Sequence, residues 1–227
     1  MKDLIAKNLS LKSSEQVLDA GCGYGNVALY LSSKYRSKII GIDINNYEIN
    51  QARKKAKHMG LTDRVTFSVM DYANTNFPNN YFDAIYTMET LSHAPNLRKT
   101  LREFLRILKP RGKIALFEYT LAPNGNFLPR ELRMLELGIE GTAALGLKQF
   151  RHDKFPILLK QIGFTNTKEQ NITRNILPAI GRFRRLAFIP YQLIKLFNLQ
   201  KHFTNTLVAV EWYKLVNNMS NGSGYTL

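Results

Sequence analysis

"VLDAGCGYGN", residues 17–26, runs from a branched apolar stretch into three glycines spaced two apart, Gly21, Gly23 and Gly25. An apolar run that ends in glycine reads as a buried strand leading into a tight turn. The turn opens onto "NVALYLSSKY" (26–35), which places Val27, Tyr30 and Leu31 on the inner side of a helix. Glycines between a strand and a helix let the backbone approach a ligand, whose polar groups can meet N–H groups at the helix start. The spacing is G-x-G-x-G preceded by Asp19, and Asn26 stands where a dinucleotide fingerprint places its last glycine. By itself the stretch establishes a strand–turn–helix unit with room for a ligand at the turn.

The same rhythm continues outward. "KIIGIDI" (38–44) is a second strand, and "NYEINQARKKAKHMG" (46–60) a helix with Gly60 as its stop. "RVTFSVMD" (64–71) is a third strand and, past the turn signal "NFPNN", "YFDAIYTM" (81–88) a fourth. "NLRKTLREFLRILKPRG" (96–112) is a helix with Leu97, Leu101, Phe104, Leu105 and Leu108 on one face, stopped by Pro110. "KIALFEY" (113–119) is a fifth strand. Alternation at this spacing predicts an α/β fold, a parallel sheet with helices on both faces. After Thr120 the pattern loosens. "RELRMLELGIEGTAALG" (130–146) and "KFPILLKQIGF" (154–164) read as helices, "TNTKEQNIT" (165–173) and "NTLVAVEWYKLV" (205–216) as strands. One domain is predicted overall: a core over 1–120, substrate-covering helices and the last strands over 121–216, and a disordered tail over 217–227.

Composition bounds the setting. Of 227 residues, 44% are hydrophobic and 22% charged, which is globular rather than disordered. The single cysteine, Cys22, excludes an internal disulfide framework. With no signal-like N-terminus and no run long enough to span a bilayer, it predicts a cytoplasmic protein. Net charge is +15. Residues 148–203 hold eleven Lys/Arg against Asp153 and Glu169, which suits either an anionic partner or solubility alone.

Acids mark the strand ends. Asp43 closes the second strand, where a carboxylate can accept both hydroxyls of a ribose. Asp71 closes the third, where one can accept from an adenine amine, with Tyr72 beside the ring. Each acid alone is equally a helix cap, but three successive strand ends offering glycine, acid and acid favour a ligand at that edge.

With these motifs in place, Gln16 to Tyr119 resembles the class I S-adenosylmethionine-dependent methyltransferases. "VLDAGCGYGN" is similar to their first motif, "GIDI" to the ribose-binding acid, "VMDY" to the adenine-side acid and "ILKPRGKIAL" to their helix-to-strand corner. The resemblance implies a Rossmann-like seven-stranded sheet whose last strand is antiparallel. It also implies methyl transfer from the sulfonium, with S-adenosylhomocysteine as product. The implied cofactor-binding set is Asp19, Gly21, Gly23, Gly25, Asp43, Ile44, Asp71, Tyr72 and Met88. "YTMETLSHAP" (86–95), "FEYTL" (117–121) and "LELGIEG" (135–141) look more narrowly like sterol C-methyltransferases, a likeness whose Glu/His spacing terpenoid, tocopherol and amine N-methyltransferases share. Sterol methyltransferases carry a long aromatic-rich segment before the glycine motif, whereas about 15 residues precede it here.

Glu89 and His93 lie four positions apart after the fourth strand. As loop residues they would brace the turn and cap the next helix. As chemical groups they would be a base beside the cofactor, with His93 tunable near neutral pH. Glu118 and Tyr119 end the fifth strand at the same edge, the former as a second catalytic carboxylate and the latter as a pocket wall. If the acceptor is an alkene, methylation leaves a carbocation that needs aromatic faces, carboxylates and a base. An amine or phenol would need only orientation and deprotonation.

The favoured reading is transfer to an apolar sterol- or terpenoid-like small molecule, with N- or O-methylation of a small metabolite as alternative. Nucleic acid is disfavoured, because "TMETLSH" replaces the Asn/Asp-Pro-Pro-aromatic signature of base-amino methyltransferases. A non-catalytic protein of this fold is the remaining alternative, and intact glycines and acids argue against it. No residue cluster has metal-ligand spacing, so no metal is expected. Residues 176–203 mix apolar side chains with Arg182, Arg184, Arg185 and Lys195, suited to peripheral contact with an anionic membrane or to a pocket lid. Pro190 is expected to interrupt any helix there.

Overall fold

Alternating branched and apolar residues build five parallel strands, β1 (Gln16–Ala20), β2 (Lys38–Asp43), β3 (Val65–Val69), β4 (Phe82–Met88) and β5 (Leu108–Phe117). A computed structural model of the chain describes residues 1–120, 129–141, 144–151, 154–197 and 224–226. Their order in the sheet is β3-β2-β1-β4-β5. Helices α1 (Lys2–Leu9), α2 (Asn26–Tyr35), α3 (Asn46–His58), α4 (Leu97–Ile107), α5 (Pro129–Gly141), α6 (Phe155–Ile162) and α7 (Thr173–Leu196) complete the α/β architecture. Beyond β5 the sheet continues through β7 (Gly224–Thr226) and β6 (Lys168–Gln170), three residues each; β7 is antiparallel to both neighbours.

Strand alternation sorts the core into two faces. Val17, Ile39, Tyr86 and Phe117 pack with Ile5, Leu9, Leu31 and Ile49 of α1, α2 and α3. Leu18, Ile42, Ile85 and Leu116 pack with Leu101 and Phe104 of α4 and Leu159 of α6. At about 25 cal/mol per Å² of apolar surface removed from water, each such burial outweighs any local propensity.

Several expectations need correction. Pro110 does not end α4. The helix stops at Ile107, where Asn80 N and Tyr81 N donate to the carbonyls of Arg106 and Ile107, at 3.0 and 2.8 Å. Leu108 then pairs with Phe82, and Pro110 lies in the irregular opening of β5, where a missing N–H costs no regular ladder bond. Pro190 does not interrupt α7, which runs through both Pro178 and Pro190. Pro190 has no N–H to give the Leu186 carbonyl, and both residues are exposed. The tail assigned to disorder contributes residues 224–226 to the sheet, while the strand expected at 205–216 lies outside the described residues. The N-terminal residues form α1, whose Ile5, Ala6 and Leu9 are buried.

Candidate active site

The sheet reverses direction of construction between β1 and β4, so a crevice opens above the carboxyl ends of these strands. Register fixes what meets there: Ala20 lies beside Ile42, Asp43 beside Val69, and Met88 beside Phe117. Every candidate residue named from the sequence, from Asp19 to Tyr119, lies in or just beyond these strand ends.

The glycine loop follows β1 because its backbone must turn with φ of +80° at Gly21, +50° at Gly23 and +71° at Gly25. Its own amides, which precede the start of α2, are mostly used within the protein. Gly21 N and Cys22 N both donate to Ile42 O (2.8 and 3.0 Å), Gly25 N to Cys22 O (2.9 Å), and Gly23 N to Asp43 Oδ2 (3.0 Å). Asp43 must be held, and the loop holds it. Its other oxygen accepts from Asn45 N at 2.9 Å, and Asn45 in turn caps α3. A carboxylate offers about four lone-pair directions, so Asp43 retains acceptor capacity after both bonds.

Asp19 is buried beneath the loop, where it accepts from Ala28 N at the start of α2. Desolvation pushes its carboxyl up to about 7, with a further push from Asp43. Asp19 Oδ2 and the Tyr86 hydroxyl lie close without a well-aligned hydrogen bond, and neither has another protein partner. Cys22 is driven upward by burial and by the charges of Asp19, Asp43 and Glu48, so it is no nucleophile. A chain of net charge +15 therefore concentrates three carboxylates around one turn. That negative cup fits a cation, and S-adenosylmethionine carries a sulfonium and an ammonium. Beside it stand Ile44 and Val69, 73% and 47% exposed, at the ends of β2 and β3. Apolar side chains left in water next to the held Asp43 carboxylate are shaped to take the faces of a heterocycle.

Asp71 is exposed and bonds within its own turn, to Ala73 N at 2.8 Å. Tyr72 is half-buried. Its hydroxyl, pushed up to about 12 by burial, donates to Thr90 O at 3.2 Å. Thr90 was missed in the sequence, and it links the site: besides holding Tyr72 it packs on Gly21, where an added Cβ would meet Thr90 Oγ1. Phe67 plays the matching part under Gly25 and Gly41. Neither residue type signals such a role, because the signal is the clearance of a glycine in another segment.

Glu89 occupies the left-handed region at φ +56°, rare for a residue with a side chain, immediately after β4. Its N donates to Phe117 O at 2.8 Å, which fixes the turn to the end of β5. The side chain is reached by solvent yet crowded by the crevice, and desolvation raises its carboxyl while the Tyr119 hydroxyl donates to it. His93 is the exposed last residue of a 3-10 turn, Leu91–His93, and its N donates to Thr90 O at 3.0 Å.

Glu118 differs from its expected place as a second carboxylate facing an acceptor. It is buried and accepts from Thr87 Oγ1 (2.8 Å), Leu91 N (3.1 Å) and Thr90 N (3.3 Å) through one oxygen, while Oε2 is buried without a partner. Burial pushes its carboxyl up to about 7. A raised acid pKa means the folded state binds the extra proton. Stability from this group is thus full below the unfolded value near 4.5 and falls as pH rises toward 7. Glu118→Gln keeps an acceptor for the three donors without the buried charge. It is expected to leave stability unchanged near pH 4.5 and to raise it by about 1–3 kcal/mol at pH 8, measured by urea denaturation. A loss confined to pH 8 would show that the charge itself is needed, and an equal loss at both pH values that the amide is not tolerated in place of the carboxyl.

Among the described residues no group of His, Cys, Asp or Glu is placed to hold a metal ion, and no helix is long and apolar enough to cross a membrane. Residues 18–116 match the family model described as Methyltransferase domain. A protein from Talaromyces variabilis, S-adenosyl-L-methionine-dependent Diels-Alderase iccD, is 32% identical over 94% of this chain and 74% of its own length. Sterol 24-C-methyltransferase ERG6A from Gibberella zeae is 36% identical over 60% of this chain, a match that spans only 36% of that enzyme. Among solved structures, cyclopropane synthase MmaA2 from Mycobacterium tuberculosis superposes with a TM-score of 0.83, covering 99% of this chain and 81% of its own at 16% identity, which speaks to fold alone. The chain belongs to the S-adenosylmethionine-dependent methyltransferase family, and S-adenosylmethionine is its cofactor.

Proposed function

We propose that this protein transfers a methyl group to an apolar small molecule, at carbon, in the crevice between the glycine loop and the turn after β4. When bound, S-adenosylmethionine supplies an electrophilic methyl on a sulfonium. The single observation that carries the reading is Glu89: a solvent-reachable carboxylate with a raised pKa, held in a rare backbone conformation beside the cofactor edge. Backbone strain of this kind persists where surrounding structure over-determines it, commonly at functional sites.

The chain's own residues divide the work. Asp43 holds the ribose hydroxyls, and Asp19 with its unpartnered oxygen stands beneath the loop as counter-charge to the cation. Ile44, Met88 and Tyr72 shape the adenine side, with Asp71 as acceptor for its amine. Glu89 faces the acceptor, where a carboxylate stabilises a developing cation and then removes a proton; Tyr119 steers that carboxylate by its hydrogen bond. His93 stands at the rim as a second base. Glu118 is a positioning residue, since it ties Thr87, Thr90 and Leu91 together around Glu89.

Sterol 24-C-methyltransferases support a sterol- or terpenoid-like acceptor through the region they share with this chain. A second reading is favoured by one observation: a relative that matches over 94% of the chain is a Diels-Alderase. There the crevice would hold a polyene for cycloaddition, with S-adenosylmethionine bound but not consumed. Incubation with a panel of apolar alkenes separates the two. Transfer yields S-adenosylhomocysteine and a product heavier by one CH₂, whereas cycloaddition changes neither mass nor cofactor. Glu89→Gln is expected to lower turnover by about 10²- to 10⁴-fold, the range of one acid–base group, with cofactor affinity nearly intact. His93→Ala should lower it less. Lost cofactor affinity and stability without a specific turnover defect would reduce both residues to loop braces.

A further inference from the structure

Helix α7 is the part of the fold that the crevice does not absorb. Among its described residues only Tyr191 and Ile194 are buried, while Leu186, Ile189, Leu193 and Leu196 are between 50% and 76% exposed. Phe197, just past its end, is 65% exposed. At 100° per residue, positions 186, 189, 190, 193, 196 and 197 fall within an arc of roughly 120°, so they form one stripe about 16 Å long. The helix is continuous through Pro190, so the stripe is not divided there. Arg182 and Arg185, both exposed, lie at the stripe's N-terminal end and flank. Between Glu169 and Glu211 the chain has no acidic residue and six basic ones, Arg174, Arg182, Arg184, Arg185, Lys195 and Lys201.

We propose that α7 is an interfacial helix that lies on an anionic lipid bilayer, with Leu186, Ile189, Leu193, Leu196 and Phe197 inserted among the acyl chains and Arg182 and Arg185 on the headgroups. Three features select this occupant. The helix is not long and apolar enough to cross, so it lies in the surface plane. Its exposed apolar residues, Phe188 excepted, form a stripe rather than a closed surface, which matches the shallow burial of an interfacial helix. Its described charges are one-signed, with no acidic side chain on the stripe to neutralise Arg182 and Arg185, whereas anionic headgroups complement them. The inference stands apart from the identity of the methyl acceptor.

The test uses the full chain and vesicles of phosphatidylcholine, with or without about one third phosphatidylserine, in flotation across a salt series. Binding to the anionic vesicles at low ionic strength is expected, weakening steeply with salt and absent on pure phosphatidylcholine. Arg182→Ser with Arg185→Ser should lower the partition coefficient by roughly tenfold or more, each cation near such a surface being worth about fivefold. Ile189→Glu with Leu193→Glu should abolish binding while the thermal midpoint and S-adenosylhomocysteine affinity stay unchanged, because both side chains face solvent. No flotation at low salt overturns the proposal. Binding that survives the two glutamates overturns it too, leaving charge alone. If the glutamates instead lower the thermal midpoint, the stripe is covered by this chain itself. If they convert a dimer to monomer in light scattering, it is covered by a second copy.

Discussion

Gly21→Ala is expected to destabilise the protein by roughly 2–5 kcal/mol, combining about 1–2 for a side chain in the left-handed region with about 1–3 for overpacking. The physical reason is local. Gly21 has φ +80°, and an added Cβ would overlap the Oγ1, Cβ and Cγ2 atoms of Thr90. Neither neighbour can retreat cheaply. Thr90 N donates to the buried Glu118 carboxylate and Thr90 O accepts from Tyr72, while Gly21 N is tied to Ile42 O. The displacement therefore passes to Glu89, the residue before Thr90, and turnover should fall further than stability alone explains. Urea denaturation and cofactor titration read the two effects. The double variant Gly21→Ala, Thr90→Gly should recover the overlap part and not the backbone part, a coupling measurable as a double-mutant cycle. A Gly21→Ala protein with unchanged stability would refute the packing of Thr90 on the loop.

The parallel core and its cofactor edge were legible because local signals there agree with the tertiary outcome. Apolar runs of five to seven residues end in Gly21, Asp43 or Met88, and amphipathic helices follow, so period and length both point to strand–helix repeats. The corner at Pro110 misled because the helix is ended by pairing of Leu108 with Phe82, a contact some 26 positions away that no local rule contains. Pro190 misled for the opposite reason. A proline inside a helix removes the bond to the carbonyl four residues back and kinks the helix, at a cost of about 3 kcal/mol, but it need not end it, and α7 continues on both sides of Pro190. Residue type placed the acids at the strand ends, where the structure has them, and missed two environments. Glu118 is a titratable residue at a strand end, and only the fold shows it sealed behind Thr87 and Leu91. The sequence names donors only at the start of α2, and only the neighbouring strand shows that Ile42 and Asp43 take most amides of the loop itself.

Asp43→Ala is expected to weaken S-adenosylmethionine binding by about 1–3 kcal/mol, the range of a hydrogen bond to a charged group. The loss should be compounded by slackening of the loop, because Gly23 N and Asn45 N lose their acceptor together. That double role creates an ambiguity that the mutation alone leaves open, since a mere brace would also reduce affinity when removed. Changing the ligand resolves it. If Asp43 holds the ribose hydroxyls, adenosine should bind wild-type protein more tightly than 2′-deoxyadenosine, and the preference should vanish in Asp43→Ala. If Asp43 only braces the loop, both ligands weaken by the same factor and the preference persists. Asp43→Asn sharpens the contrast: its single carbonyl oxygen can serve one of the two backbone donors, and its amide nitrogen presents hydrogens to the other. Calorimetric titration of the two nucleosides against wild type and both variants gives the coupling energy directly. A coupling near zero in folded variants would remove Asp43 from the cofactor site and leave it as the cap that joins β2 to the glycine loop.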